Sequence, residues 1–243
     1  MSPVSEKVIW HDVECGHYDA DVALWRELAA AAHGPILDVG AGTGRVTLDL
    51  ARRGHEVVAL DIDPALLAEL ELRARAEGLN VRTVVADAGD FSLERHDFAL
   101  VMAPMQTVHL LRPAGRLGFL RCARSHVAPG GHVAIAIVET MEAFDDTDDA
   151  LPLPDHLLID GTLYSSQPVA LRDHGDSVVI ERIRQIVTIS GQRRASDDIL
   201  RLDRVAIEQV EAEARAANLL VLPGRSIGQT EDYVGTTVVM LRG

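Results

Sequence analysis

The 243-residue sequence contains a single lysine, Lys7, so its positive charge rests almost wholly on arginine, and its formal net charge is -14. Basic residues gather only in short pairs such as Arg52-Arg53 and Arg193-Arg194. A nucleic-acid binder draws much of its affinity from phosphate contacts made by a basic face. A DNA or RNA partner is therefore not expected. Two cysteines, Cys15 and Cys122, are too few for a disulfide framework. No apolar run approaches the roughly 20 residues of a membrane span, and Met1 to His11 lack the apolar stretch of a secretory signal. No membrane partner is expected, and the expected location is cytoplasmic.

Hydrophobic residues make up 47% of the chain and charged ones 25%, which suits one large globular domain, or one that carries an insertion. From residue 35 onward short apolar runs alternate with helical stretches. Pro35–Val39, Val57–Leu60, Val81–Val85, Phe98–Met102 and His132–Val138 read as five buried strands, because each is apolar almost throughout. Helices are expected over Val46–Arg53, from Pro64 to about Glu77, and over Leu117–His126, the last ended by a Pro129-Gly130-Gly131 turn. Only the link between the third and fourth strands shows no clear helix. Such alternation marks a parallel sheet covered on both faces.

The character changes after Glu139. Phe144–His156 is an acidic, proline-containing stretch (Asp145, Asp146, Asp148, Asp149) that reads as a solvated loop. Gly161–Leu171, Ser177–Ile189 and Arg193–Arg201 are strand-like. In the second of these, Glu181, Ile183 and Gln185 alternate with Ile180, Arg182 and Arg184, a loose fit to an antiparallel sheet with one wet side. Val205–Ala217 is then a helix, followed by closing strands at Leu219–Leu222 and Thr236–Leu241.

The chemistry-bearing residues fall at strand ends. Ile36-Leu37-Asp38-Val39-Gly40-Ala41-Gly42-Thr43-Gly44 sets an acid and three alternating glycines between a buried strand and a helix. Glycine lets the backbone turn and approach a ligand without a Cβ clash, and a helix start offers free N–H groups. The dinucleotide fingerprint G-x-G-x-x-G is not met, because the third glycine comes one position early. The Asp38 carboxylate would also repel a pyrophosphate, whereas it suits an amino-acid ammonium. Asp61, at the end of the second strand, can accept hydrogen bonds from both hydroxyls of a ribose. Asp63, just before Pro64, fits a helix N-cap better. The third strand ends in Asp87-Ala88-Gly89-Asp90-Phe91, a carboxylate and backbone amides for an adenine edge. These ends share one rim of the sheet, where open α/β folds bind ligands.

Together the three strand ends resemble the class I S-adenosylmethionine-dependent methyltransferases, over about residues 33–140. The resemblance implies an α/β fold, a doubly wound Rossmann-like seven-stranded sheet, with a small antiparallel β insertion after the fifth strand. It divides the chain into N-terminal lid helices (1–32), a cofactor-binding core (33–140), an antiparallel insertion serving as substrate cap or dimer contact (141–203), and a closing helix and strands (204–243). S-adenosyl-L-methionine is the implied cofactor. Its implied contacts are Asp38, Gly40, Ala41, Gly42 and Gly44 on the methionine part, Asp61 and Ile62 on the ribose, Asp87 and Ala88 on the adenine, with Ala103 and Tyr18 nearby. The insertion resembles that of small-molecule N-methyltransferases, including glycine N-methyltransferase-like enzymes and amino-sugar N,N-dimethyltransferases.

Three residues stand out as candidates near the transferred methyl group. Tyr18 belongs to the segment that in the resembling family folds over the cofactor. Gln106 and His109 follow the fourth strand, and histidine titrates near neutrality, as a base should. Glu139 and the Tyr164-Ser165-Ser166-Gln167 segment are further candidates for the acceptor pocket. His11-Asp12-Val13-Glu14-Cys15-Gly16-His17 has metal-ligand residue types without a zinc-site spacing, so no metal is expected. The expected activity is methyl transfer to an N or O atom of a small metabolite. The alternatives are another reaction of the same cofactor, cyclisation or aminocarboxypropyl transfer, and a non-catalytic scaffold.

Overall fold

Neighbouring residues of a strand point to opposite faces, so a strand that is apolar at every position needs cover on both sides. The computed structural model, which describes residues 5–145, 147, 151–230 and 233–243, shows that cover. The elements run α1 (Glu6–Cys15), α2 (Val22–Ala31), β1 (Ile36–Val39), α3 (Arg45–Arg52), β2 (Val57–Asp61), α4 (Pro64–Ala76), β3 (Val81–Val85) and β4 (Phe98–Ala103). They continue with α5 (Pro113–His126), β5 (Val127–Ile137), β6 (Asp155–Ile159), β7 (Thr162–Asp173), β8 (Ser177–Val187) and β9 (Arg193–Asp203). The chain closes with α6 (Ile207–Ala216), β10 (Leu220–Ile227) and β11 (Thr236–Arg242). On one face of the main sheet Leu37, Val39, Leu60 and Val101 pack against Phe119 and Leu120 of α5 and Val210 of α6. On the other, Ile36, Val57 and Met102 pack against Trp25 of α2 and Val46 and Leu50 of α3.

The main sheet has seven strands in the order β10-β11-β5-β4-β1-β2-β3. β1 pairs in parallel with both β2 and β4, and β11 runs antiparallel to β5 and β10. The strand order reverses at β1, the switch point where such sheets leave a crevice at their carboxyl ends. A separate four-stranded antiparallel sheet, β6-β7-β8-β9, is the insertion after β5. Helix α1 lies on it through Ile9, Trp10 and Val13, packed against Leu157, Ile159, Tyr164 and Ile186.

Several boundaries depart from the sequence expectations for physical reasons. α5 begins at Pro113, four residues before the expected Leu117, and accommodates Gly115 and Gly118. Gly118 is there for contact: a Cβ on it would stand 2.1 Å from the Gly89 carbonyl oxygen. Pro129-Gly130-Gly131 does not end the strand pairing but lies inside β5, where the register with β4 shifts between Phe98 and Leu100. β10 likewise runs past Pro223-Gly224, across a register shift between Leu222 and Arg225. The expected loop over Phe144–His156 contains the start of β6, and Phe144 bridges to Leu171. Asp146, Asp148 and Asp149 lie outside the described residues. No described helix links β3 to β4, as expected. No helix among the described residues is long and apolar enough to cross a membrane.

Candidate active site

The turn after β1 holds its shape through left-handed glycines, with φ of 76° at Gly40, 55° at Gly42 and 94° at Gly44. A side chain is strained in this region, and space forbids one as well. A Cβ would stand 2.5 Å from Thr107 at Gly40, 2.2 Å from the His11 ring at Gly42 and 2.2 Å from Leu70 at Gly44. Asp38 lies just beneath, 1% exposed. Its Oδ2 accepts from the Thr47 hydroxyl at 2.6 Å, while its Oδ1 is buried with no hydrogen-bond partner. Burial pushes its pKa up to about 6, against the pull of Thr47 and Arg45. A buried carboxylate oxygen without a donor is costly, and its place at the strand's carboxyl end fits an incoming ammonium.

Asp61 does more than sequence reasoning assigned to it. Its Oδ2 accepts from the Gly42 N–H at 2.8 Å and its Oδ1 from the Asp63 N–H at 2.9 Å. It therefore braces the glycine turn against the end of β2 and keeps lone pairs for further donors. Asp63 is the N-cap of α4, accepting from Ala65 N–H at 2.8 Å, and it also pairs with Lys7. Ile62 beside them is 68% exposed. Asp87 is exposed and holds its own turn by accepting from Gly89 N–H at 2.7 Å, with Ala88 next to it. Ala41 is buried in the glycine turn. Ala103 sits at the end of β4 with its methyl buried in the core, so only its backbone can face a ligand.

Helix α1 is packed down on this turn. His11 Nδ1 lies 3.2 Å from the Thr43 hydroxyl, which donates to Asp12 at 2.7 Å, and Asp12 pairs with Arg73. Burial holds the His11 pKa below its ordinary value. Of the His11–His17 segment, His11 and Asp12 are thus committed to holding α1 on the turn, while Glu14 and His17 line the neighbouring cavity.

A cavity of about 890 Å³ opens between the end of α1, the ends of β4, β5 and β10, and the insertion sheet; no residue of the glycine turn is in its lining. Tyr18 and Gln106 both line it. Tyr18, 7% exposed between α1 and α2, stacks edge-on against Tyr233 at 4.8 Å, and Arg45 lies over its ring at 5.1 Å. Met105, next to Gln106, has a left-handed φ of 53°, a strain often found at functional sites.

His109 is the clear correction. It is 1% exposed, its Nδ1–H donates to the Asp203 carbonyl at 2.9 Å, and its Nε2 accepts from the Val138 N–H at 3.1 Å. Both nitrogens are spent on backbone, and burial lowers its pKa, so it pins β5 to β9 and cannot serve as a base. Glu139 is exposed and outside the cavity lining. Tyr164 packs edge-on against Trp10 at 5.6 Å, Ser166 donates to Glu14, and Gln167 bonds the carbonyls of Pro152 and Pro168. That segment builds the insertion, and its neighbour Pro168 is what reaches the cavity. Sequence reasoning missed Glu14, Asp21, Asp155, Arg182 and Thr236, which come from five separate elements or turns. The only available signal was the pair Arg182 and Arg184 on one face of β8.

Residues 36–131 match the family model described as a methyltransferase domain. The whole chain superposes on an amino pentose methyltransferase of Micromonospora echinaspora with bound S-adenosylmethionine, at TM-score 0.72 and 19% identity, covering 100% of both chains. This is the class I methyltransferase fold. Sequence similarity is confined to its core. A ubiquinone biosynthesis O-methyltransferase of Methylocella silvestris is 33% identical over 110 residues, 45% of this chain and 42% of the relative. A probable ribosomal RNA small subunit methyltransferase A of Methanosarcina mazei is 33% identical over 116 residues, 44% of this chain and 40% of the relative. The chain spans about two fifths of the length of such curated relatives. In the methyltransferase fold, the matched segment carries the glycine turn, Asp61 and Asp87, while the lid and the insertion lie outside it.

Proposed function

We propose that this protein transfers the methyl group of S-adenosyl-L-methionine to an N or O atom of a small molecule. The observation that carries the reading is the unpartnered Oδ1 of Asp38, buried under a glycine turn whose other brace is Asp61. When bound, the cofactor supplies a methyl group on a positively charged sulfur. Asp38 would accept from its ammonium, the N–H groups of the turn would face its carboxylate, and Asp61 would accept from its ribose. Ile62 would lie beside the ribose, and the Asp87-Ala88 turn would flank the adenine.

Such a displacement needs alignment and exclusion of water more than a strong base. Tyr18 and Gln106 would provide alignment, and the lid would exclude water. A small-molecule acceptor is supported by the cavity, by the acidic net charge of -14, and by the sugar-modifying structural neighbour. The ribosomal RNA methyltransferases match only within the cofactor core, which says little about the acceptor.

The test is incubation of the protein with S-adenosylmethionine and a metabolite extract, followed by mass spectrometry. The expected products are S-adenosylhomocysteine and a singly or multiply methylated small molecule. Methylthioadenosine would point instead to another reaction of the cofactor, and no binding of S-adenosylhomocysteine would overturn the reading. Tyr18→Phe and Gln106→Ala should lower kcat and kcat/KM together while S-adenosylhomocysteine affinity holds.

A further inference from the structure

The insertion sheet is laced with ion pairs, and among its described arginines Arg182 and Arg193 are left out of them, of which Arg182 lines the cavity. Arg182 faces the cavity from β8. Its cross-strand neighbour on β9 is Asp198, yet Asp198 pairs with Arg184 at 2.7 Å. Glu14 of the lid receives Arg184 at 2.8 and 2.9 Å and Ser166 at 2.8 Å. Glu181, beside Arg182 in sequence, pairs with Arg172 at 2.7 Å. Asp21, across the cavity, is held by Arg45 and by the Trp25 indole N–H. No carboxylate among the described residues comes within ion-pair distance of Arg182, and its Nε is sealed from solvent with no hydrogen-bond partner. A guanidinium presents a planar fork of donors matched to two oxygens of a carboxylate or phosphate.

Resting on the methyl-transfer reading for the word acceptor, we propose that Arg182 anchors an oxyanion, a carboxylate or a phosphate, carried by the acceptor molecule. Among the described residues of the cavity wall, Arg182 is the one guanidinium without an ion pair, and it shares that cavity with Tyr18 and Gln106. Asp155, also on that wall and near enough for the Arg182 charge to act on its carboxylate, accepts from a hydroxyl or ammonium of the same molecule. Arg182 is thereby a specificity residue that selects the acceptor by charge and leaves the reacting atom to the other wall. The small-molecule reading gains a substrate class from it: acceptors with an anionic group remote from the methylated N or O.

The test reads Arg182 directly. In protein labelled with 15N at arginine, the Arg182 Nε–H resonance is assigned by its loss in both Arg182→Met and Arg182→Lys. Sodium acetate and sodium phosphate are then titrated against sodium chloride at matched ionic strength, with and without S-adenosylhomocysteine. The expected result is a saturable shift of the Arg182 resonance with acetate, phosphate or both, while the Arg184 resonance stays in place. Response to acetate alone assigns a carboxylate, and to phosphate alone a phosphate ester. A resonance that follows ionic strength only, or an equal shift at Arg184, overturns the proposal. The melting temperature of the parent should rise saturably with the same anion, and that rise should be lost in Arg182→Lys, whose melting temperature without the anion stays close to that of the parent. Calorimetry with S-adenosylhomocysteine on the same samples separates the two readings. If it does not bind, methyl transfer fails while the anion site is judged by its own titration.

Discussion

The two sheets of this molecule are held by different forces. Every residue of β1 and β2 is buried, whereas β9 is exposed along most of its length until Leu202 and Asp203. The parallel sheet is stabilised by apolar burial on both faces, which is non-directional and collectively large. The insertion buries one face against α1 and spends its polar residues on arginine–carboxylate pairs, including Arg184 with Glu14 and Arg194 with Glu6. α1 is bound to the parallel sheet chiefly by polar contacts, at Lys7–Asp63, Thr43–Asp12 and Arg73–Asp12. The difference teaches that the seven-stranded half is built by the core, while α1 and the insertion ride on ties that are weaker singly and can be exchanged. Local openings are drawn from the regions with fewest buried apolar contacts.

The largest effect should come from cutting the core. Leu60→Ala empties a fully buried position of β2 and should cost about 2–5 kcal/mol in denaturant unfolding. Ile199→Ala on β9, where the side chain is 69% exposed, should stay within about 0.5 kcal/mol. Equal losses at the two sites would erase the contrast between the sheets.

Next in size is the brace at the end of β2. Asp61→Ala removes the acceptor of two backbone N–H groups and should weaken S-adenosylhomocysteine binding by about 1.5–3 kcal/mol by calorimetry. Asp63→Ala removes an N-cap and should lower stability by about 1 kcal/mol with affinity nearly unchanged. If Asp63 governed affinity and Asp61 did not, the two roles would be reversed.

A smaller change is expected at the lid. Glu14→Ala strips the partner from Arg184 and Ser166, a half-buried tie worth about 1 kcal/mol once solvent screening is counted. Hydrogen exchange should quicken in α1 and leave β1 as slow as before. Uniform quickening across β1 would mean that the lid and the core open as one unit.

The finest effect is in pH. Asp38 binds its proton more tightly in the folded protein, with a pKa of about 6. Its contribution to stability therefore falls as pH rises from the ordinary carboxylate range through about 6. Asp38→Asn should raise the melting temperature at neutral pH and weaken S-adenosylhomocysteine binding. In the parent, that binding should weaken as pH drops through about 6 and the carboxylate becomes neutral. His11 and His109 act in the opposite sense, because burial holds both below the ordinary histidine value. Their share of stability is lost as pH falls below that value, since only the unfolded chain then takes the proton. A melting temperature for Asp38→Asn no higher than the parent's at neutral pH would show that the ionised carboxylate carries no penalty.

The legible part of the fold was the part governed by period and punctuation. Continuous apolar runs gave the strands of the parallel sheet, Pro64 marked the start of α4, and the glycines of residues 40–44 marked the ligand turn. The start of α5 at Pro113 was not read from the sequence, and the reason for Gly118, close passage of α5 over Gly89, lies in a contact with a residue far from it along the chain. β6 was hidden by its neighbours Pro152 and Pro154 and by its short length. His109 looked catalytic because residue type and position after β4 are visible in a sequence, whereas its two backbone partners, Val138 and Asp203, are not.

The sequence by itself determined the class of fold and the glycine turn at the rim of the sheet, because local hydrophobic period and glycine dihedrals act over a few residues. Only the tertiary structure decided what those residues do to one another. It set Asp61 as the brace of Gly42, withdrew His109 into the backbone, and committed Glu14 and Asp198 to Arg184, so that Arg182 was left facing the cavity. Charge pairing depends on distances of a few ångströms between strands and helices far apart in the chain, and no pattern along the chain encodes which of two arginines is paired.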